Sequence, residues 1–281
     1  MKSEILKDIT DYIDFLREQG FSVMVSCFDK VFDAYLPTLL EYEVHLCEIC
    51  SYLKAEKKTA GKCPKNKRKL QNKEITMPYY SCCFAGVEEF VVPVKAENKT
   101  IICINISGYR GKCKQSQFLA SKLAKGLGSE FLYLYSSLKT DVPTEKTVNA
   151  ITAPLKFMFL ALYNEALENS DNIDNSNKLY NEVLQFIYDN YMTDCTAKTI
   201  AKKINYSESY IRHIFAEKSG STIAQTVNKI RLNRAKTLLL NTNASITQIA
   251  LQCGFCDGNY FSVVFKKEFN CSPKEYKRTN L

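Results

Sequence analysis

The sequence has little of what most enzymes use for catalysis. Its 281 residues include two histidines, His45 and His213, which leaves little imidazole for acid–base chemistry. It has no glycine-rich phosphate loop and no nucleophile elbow. An enzyme is therefore not expected, nor is a cofactor. Long apolar runs are missing too. The stretch 157–163 is among the longest, far below the roughly 18 residues of a spanning helix, so no membrane span is expected. Glu4 and Asp8 break the first ten residues, which reads against a secretory signal and for a cytoplasmic location. The apolar fraction of 46% and charged fraction of 24% are those of an ordinary globular protein. The length allows two domains, each with its own core.

Charge is present but unevenly spread. The chain carries a formal +8. Residues 178–281 hold 15 Lys and Arg against 8 Asp and Glu, a net of +7, which leaves +1 for residues 1–177. A basic C-terminal third beside a near-neutral remainder suggests one domain that meets a polyanion and one that does not; a solvated basic face is the plainer reading of charge alone.

Cysteine is abundant, with 12 in the chain. Eight of them, Cys27, Cys47, Cys50, Cys63, Cys82, Cys83, Cys103 and Cys113, precede residue 114. In reducing cytosol a disulfide framework is not expected. Buried thiols, metal ligands and redox sensors stay open.

Hydrophobic periodicity divides the chain. Residues 5–16 place Ile5, Ile9, Tyr12, Ile13 and Leu16 on one helical face, ended by Gly20. Strands are expected at 21–28, 79–84, 89–94 and 100–107, with a polar turn at 95–99. Helices are expected at 46–53, 62–72, 115–138 and 147–168. Strands among helices predict an α+β domain over 1–140. Residues 141–177 read as a helical linker, whose stripe Val148, Ile151, Leu155, Met158, Phe159 and Leu162 is a candidate for homodimerisation or for packing on its own domain. Its polar end, 169–177, reads as a connector. From 178 onward every element reads as helix.

That all-helical third contains one pattern twice. Ile200-Ala201 recurs 49 residues later as Ile249-Ala250, and Phe215 recurs 50 residues later as Phe265. Ser207 and Asp257 stand as caps before the second helix of each copy, with Gly220 after the first of these. Ser245-x-x-Gln248 and Ser272-Pro273-Lys274-Glu275 are capping boxes. Helical spacing turns Ile211, Ile214 and Phe215 inward and Ser209, Arg212, His213 and Ala216 outward. In the second copy Phe261, Val264 and Phe265 turn in, and Asn259, Ser262, Val263 and Lys266 turn out. A continuous edge of polar and small apolar groups suits a major groove. Phe255, Tyr260, Phe261 and Phe265 read as core.

The residues Ile230-Arg231-Leu232, Ala235, Leu238-Leu239, Ile246, Ile249-Ala250, Gly254-Phe255, Asp257, Tyr260-Phe261, Phe265-Lys266-Lys267 and Ser272-Pro273 with Tyr276-Lys277-Arg278 closely resemble the AraC/XylS-type DNA-binding domain of bacterial regulators. The resemblance implies an all-α domain over 178–281 with two helix-turn-helix units, each placing its second helix in a major groove of double-stranded DNA. Carried over by position, base readers would be Ser209, Arg212 and His213 in the first unit and Gly258, Asn259 and Val263 in the second, with Lys266 and Lys267 on phosphate. The family often has Arg at the place of Val263 and a polar residue at that of Gly258.

The stretch Tyr79-Tyr80-Ser81-Cys82-Cys83-Phe84-Ala85-Gly86-Val87-Glu88-Glu89-Phe90-Val91-Val92-Pro93-Val94 is similar to the PocR-type sensory domain, which implies a PAS-like fold with a pocket for a small-molecule effector. Its candidate ligand-binding residues are His45, Cys47, Cys50, Cys63, Cys82 and Cys83. The same thiols suit zinc or an iron–sulfur cluster if the fold closes them; no bound metal is the reading preferred here. The expectation is a ligand-responsive transcription regulator, with a metal- or redox-sensing regulator as its rival.

Overall fold

The computed structural model describes residues 3–43, 45, 47–56, 58–59, 62, 75, 77–111, 113–168, 175–241 and 244–279. The chain separates into two compact units. The first comprises Met1–Ile49 and Lys62–Ile173, and the second Cys50–Gly61 and Asp174–Leu281.

The first unit opens with α1 (Glu4–Glu18), which Ser3 caps by accepting from the Leu6 amide at 3.1 Å. Ile9, Ile13 and Leu16 are buried along one stripe, and Gly20 at φ 86° turns the chain into β1 (Ser22–Cys27). Three short helical turns follow at Lys30–Ala34, α2 (Leu36–Leu39) and Leu40–Tyr42. No periodicity announced them, because three to five residues are too few to show one. Next come α3 (Glu48–Ala55), β2 (Tyr79–Cys82), β3 (Glu88–Ala96) and β4 (Lys99–Tyr109). The expected helix at 62–72 lies, apart from Lys62, outside the described residues, as does 169–174 of the expected connector.

The four strands form one antiparallel sheet in the order β1-β4-β3-β2. Glu97 and Asn98, at φ 48° and 68°, make the tight β3–β4 connection, a left-handed pair whose twist matches that of the flanking strands. One face of the sheet is apolar: Val23, Val25, Val92, Val94, Ile102, Ile104 and Ile106 share a core with Ile9, Ile13 and Leu16 of α1. α4 (Lys114–Ser136) is two helical stretches joined at Gly128, φ 78°, and it sits on the β2–β3 turn. There the Ser116 hydroxyl donates to Gly86 O at 2.5 Å, and a side chain at Gly86 would strike Ser116 O.

α5 (Glu145–Glu168) corrects one reading. Its buried stripe, Val148, Leu155, Phe159 and Leu162, joins the same core as α1 and the sheet. The stripe offered for homodimerisation is therefore consumed inside its own unit.

In the second unit, apart from Cys50–Gly61, α6 (Asn175–Asn190), α7 (Ala197–Ile204), α8 (Glu208–Ser219), α9 (Ile223–Asn241), α10 (Ile246–Gln252), α11 (Gly258–Phe269) and α12 (Pro273–Thr279) account for every described element. α6 begins three residues before the expected 178. Among the described residues no helix is long and apolar enough to cross a membrane.

Candidate nucleic-acid interface

The two copies of the sequence pattern fold as two helix pairs, α7–α8 and α10–α11. Each first helix begins with a capping box. Thr196 and Thr199 exchange bonds at the start of α7, and Ser245 and Gln248 do so at the start of α10. Each second helix has a side-chain cap: Ser207 accepts from the Tyr210 amide at 3.2 Å, and the Asp257 carboxylate accepts from the Asn259 and Tyr260 amides at 3.1 and 3.0 Å. Left-handed residues close the turns, Asn205 at φ 59° in the first pair and Gly254 at φ 89° in the second. At Gly254 a Cβ would lie 2.7 Å from Met192 Cα, so the position needs glycine for close approach as well as for conformation.

The burial of the second helices follows the expected faces. Ile211, Ile214 and Phe215 are buried, while Ser209, Arg212, His213 and Ala216 are exposed. On α11 Phe261 and Phe265 are buried and Val264 packs partly on the same core. Asn259, Val263, Lys266 and Lys267 are exposed, and Gly258 is half-buried beside Thr247. Ser262 is half-buried and donates to Gly258 O at 2.8 Å, so its hydroxyl is occupied along its own helix. Tyr260 is a correction. It is 53% exposed, not core, whereas Phe255 is buried. Tyr210 stands at the matching place on α8, 45% exposed and stacked on Tyr206 with ring centroids 5.9 Å apart.

The outward Arg212 and His213 of α8 each face a glutamate one turn away. Arg212 Nε and Nη2 both donate to Glu208 Oε1, at 3.0 and 2.5 Å, and His213 Nε2 lies 3.7 Å from Glu217 Oε2. Both pairs are exposed one-turn contacts, worth a few tenths of a kcal/mol, so a phosphate or base can displace them.

Other basic residues are taken by the scaffold. Arg231 Nε donates to Tyr191 O at 2.6 Å, Nη2 donates to Thr193 O at 3.1 Å, and the guanidinium lies 5.7 Å from the Phe255 ring. Burial lowers its pKa. Arg234 is buried and donates to the Ser51 hydroxyl at 3.1 Å through Nε. The Lys236 ammonium sits 5.0 Å from the Phe269 ring. These cations on α9 fasten the connecting helix to the loop before α7, to Ser51 and to α11. That is how it can hold the two helix pairs at a fixed spacing.

Residues 200–279 match the family model described as a helix-turn-helix domain. A 69-residue segment is 52% identical to the HTH-type transcriptional activator RhaR of Mannheimia succiniciproducens, covering 25% of each chain. A 122-residue segment is 32% identical to RhaS of Escherichia coli, covering 43% of this chain and 44% of that one. A transcriptional regulator from Chromobacterium violaceum with an AraC-type DNA-binding domain is 30% identical, with a TM-score of 0.35, over 37% of this chain and 94% of the solved one. Residues 200–279 of the second unit carry a helix-turn-helix domain. The chain spans less than half the length of the curated relatives cited here.

The helix-turn-helix domain accounts for the repeat, but the N-terminal site residues are less gathered than spacing suggested. His45 Nε2 lies 3.8 Å from Glu89 Oε2. Cys82 and Cys83 flank the β2–β3 turn, where Cys83 Sγ accepts from the Ala85 amide at 3.4 Å. Cys47 is half-buried in the first unit, and Cys50 falls in the second. Cys63 lies outside the described residues. Among the described residues no three of His, Cys, Asp and Glu converge as a metal site would require. Burial pushes the Cys82 thiol up to about 11 and that of Cys103 to about 12. Such thiols are protonated near neutrality, so they are poor nucleophiles and poor redox sensors.

Proposed function

We propose that the chain is a transcription regulator that binds double-stranded DNA through α8 and α11, in adjacent major-groove segments, and answers to a small molecule held by its N-terminal unit. The observation that carries the DNA-binding part is the pair of solvent-facing stripes, Ser209–Arg212–His213 on α8 and Asn259–Val263 with Lys266 and Lys267 on α11, on helices with equivalent caps and turns. Arg212 and His213 can donate to base edges; Asn259 can pair with adenine; Val263 offers a methyl surface to thymine. The two lysines lie in the last turn of α11, where they position the helix on phosphate without specifying sequence. Gly258, lacking a side chain, contributes backbone only.

The effector part of the proposal takes residues 1–140, with α5 packed into the same core, as a PocR-like, PAS-like sensor and 178–281 as the reader of DNA. The helix-turn-helix match of the C-terminal domain supports it, as does a separate α+β unit with its own core. A location in the bacterial cytoplasm follows from the role. An effector could act only by binding the DNA-competent state with a different affinity from the other state.

Selection of binding sites from randomised duplexes with the full chain tests the interface. The half of the site under α8 is expected to carry more sequence information than the half under α11. Equal information in both halves, or more under α11, would refute this assignment of the stripes.

A further inference from the structure

The second face of the N-terminal sheet is buried and mixed, an apolar cluster of Ile75, Val91 and Cys103 beside a polar stretch. Strand register sets Ser26 opposite Cys103, Val91 opposite Asn105, and Glu89 opposite Ser107, so alternation puts all six on the face turned away from α1. Ser26, Glu89, Val91, Cys103, Asn105 and Ser107 are all buried. A sheet face that served packing alone would be filled with apolar side chains, as the opposite face is.

Two acceptors on this face are poorly matched to what surrounds them. Glu89 is 7% exposed; its Oε2 accepts from Asn105 Nδ2 at 3.2 Å and lies 3.8 Å from His45 Nε2. Asn105 is 1% exposed, and its Oδ1 has no hydrogen-bond partner. Oε1 of the adjoining Glu88, a fully buried residue, is likewise without one. Buried polar atoms are almost always satisfied, so an orphan acceptor beside a buried carboxyl calls for a donor. Desolvation pushes the Glu89 pKa up, the response of an acid short of compensating positive charge.

We propose that this face is the effector site and that it takes a small organic ammonium compound, whose N–H groups reach the Glu89 carboxylate and Asn105 Oδ1. An ammonium group brings three donors and no acceptor. It also supplies the charge that lets a buried carboxylate stay ionised, through charge-assisted bonds stronger than neutral ones. A carboxylate or phosphate ligand would meet acceptors where it needs donors. The neutral Cys103 thiol stands on the same face and serves as wall. The proposal rests on the effector-responsive reading above.

Titration of the full chain with ethanolamine and with ethylene glycol, which differ in an ammonium for a hydroxyl, tests it. Ethanolamine is expected to raise Tm and to bind at least about tenfold more tightly than the glycol. Glu89→Gln, which keeps the shape and removes the charge, is expected to abolish that preference. Asn105→Ser, should Glu89→Gln fail to fold, is expected to weaken ethanolamine at least severalfold. Equal response to both compounds, no response to ethanolamine, or an undiminished response in the variant that folds would overturn the site. Ethanolamine binding without any change in affinity for a selected DNA site would support the site and refute effector control. A shift in DNA affinity caused by a non-amine metabolite, with ethanolamine silent, would refute the site and leave effector control standing.

Discussion

α8 and α11 are twelve residues each, start from an extended capping residue and end in a left-handed one. The backbone problem is solved twice with the two residues that tolerate positive φ, but in opposite order. Asn205 turns the chain before α8 and Gly220 ends that helix; Gly254 turns the chain before α11 and Asn270 ends it. The outward faces differ more. α8 shows a guanidinium and an imidazole, whereas α11 shows an amide, an isopropyl group and two ammoniums. In the proposed role, the shared frame would fix where each helix enters a groove, and the divergent edge would fix what it reads.

The largest difference between the repeats is expected in stability. Gly254→Ala places a Cβ against the Met192 backbone at a residue whose φ is 89°. Left-handed strain and overpacking together are expected to cost about 2–4 kcal/mol. Gly220→Ala has the strain, at φ 66°, with open space around it, and should cost about 1 kcal/mol. Urea unfolding of the two variants measures both. Equal costs would mean that the Met192 contact yields without penalty.

Next in size is DNA recognition. Arg212→Ala is expected to lose about 1–3 kcal/mol on a selected site and much less on random DNA; Val263→Ala should change either by far less. Similar losses on both kinds of DNA would demote Arg212 to a phosphate contact. The Glu208 pairing sharpens this test. Glu208→Gln releases Arg212 from an exposed one-turn pair, and DNA affinity should rise about twofold. A fall instead would show that Glu208 orients Arg212 for binding.

Those one-turn pairings were local and simply went unread; what the sequence could not show lies at longer range. Helix faces, caps and the repeat could be read because each is local, set by spacing over one or two turns. All four strands were placed within two residues of where they lie for the same reason. The roles of Arg231 and Arg234 were not legible, since their partners at Tyr191, Thr193 and Ser51 are 38 to 183 residues away. Nor was the buried polar sheet face. Alternation in 100–107 gave a strand with Cys103, Asn105 and Ser107 on one side, but nothing in it says that both sides are covered. Tyr260 was misplaced because an aromatic at helical spacing reads as core, while a phenol can also lie on the surface beside Phe255.

The smallest expected effect separates the two caps by their chemistry. Ser207 caps α8 with a hydroxyl that does not titrate, and Asp257 caps α11 with a carboxylate held by two backbone amides. Those amides, Tyr260 first, favour the charged form and lower the Asp257 pKa below its ordinary 3.8. A carboxylate depressed in the folded state contributes stability that is complete above its unfolded value. That contribution fades as pH falls through the folded value, so the window lies below 3.8. Protonation removes an anion from the positive end of the α11 dipole and weakens two bonds to its first turn. Amide exchange at Asn259 and Tyr260 should therefore quicken in that window relative to Tyr210 in the first turn of α8, after correction for intrinsic rates. Asp257→Asn keeps a capping oxygen without the titration, and should bring the pH dependence of the two helix starts together. If the first turns of α8 and α11 loosen in parallel in the unmodified protein, the cap is not what distinguishes them, and acid acts on the domain as a whole.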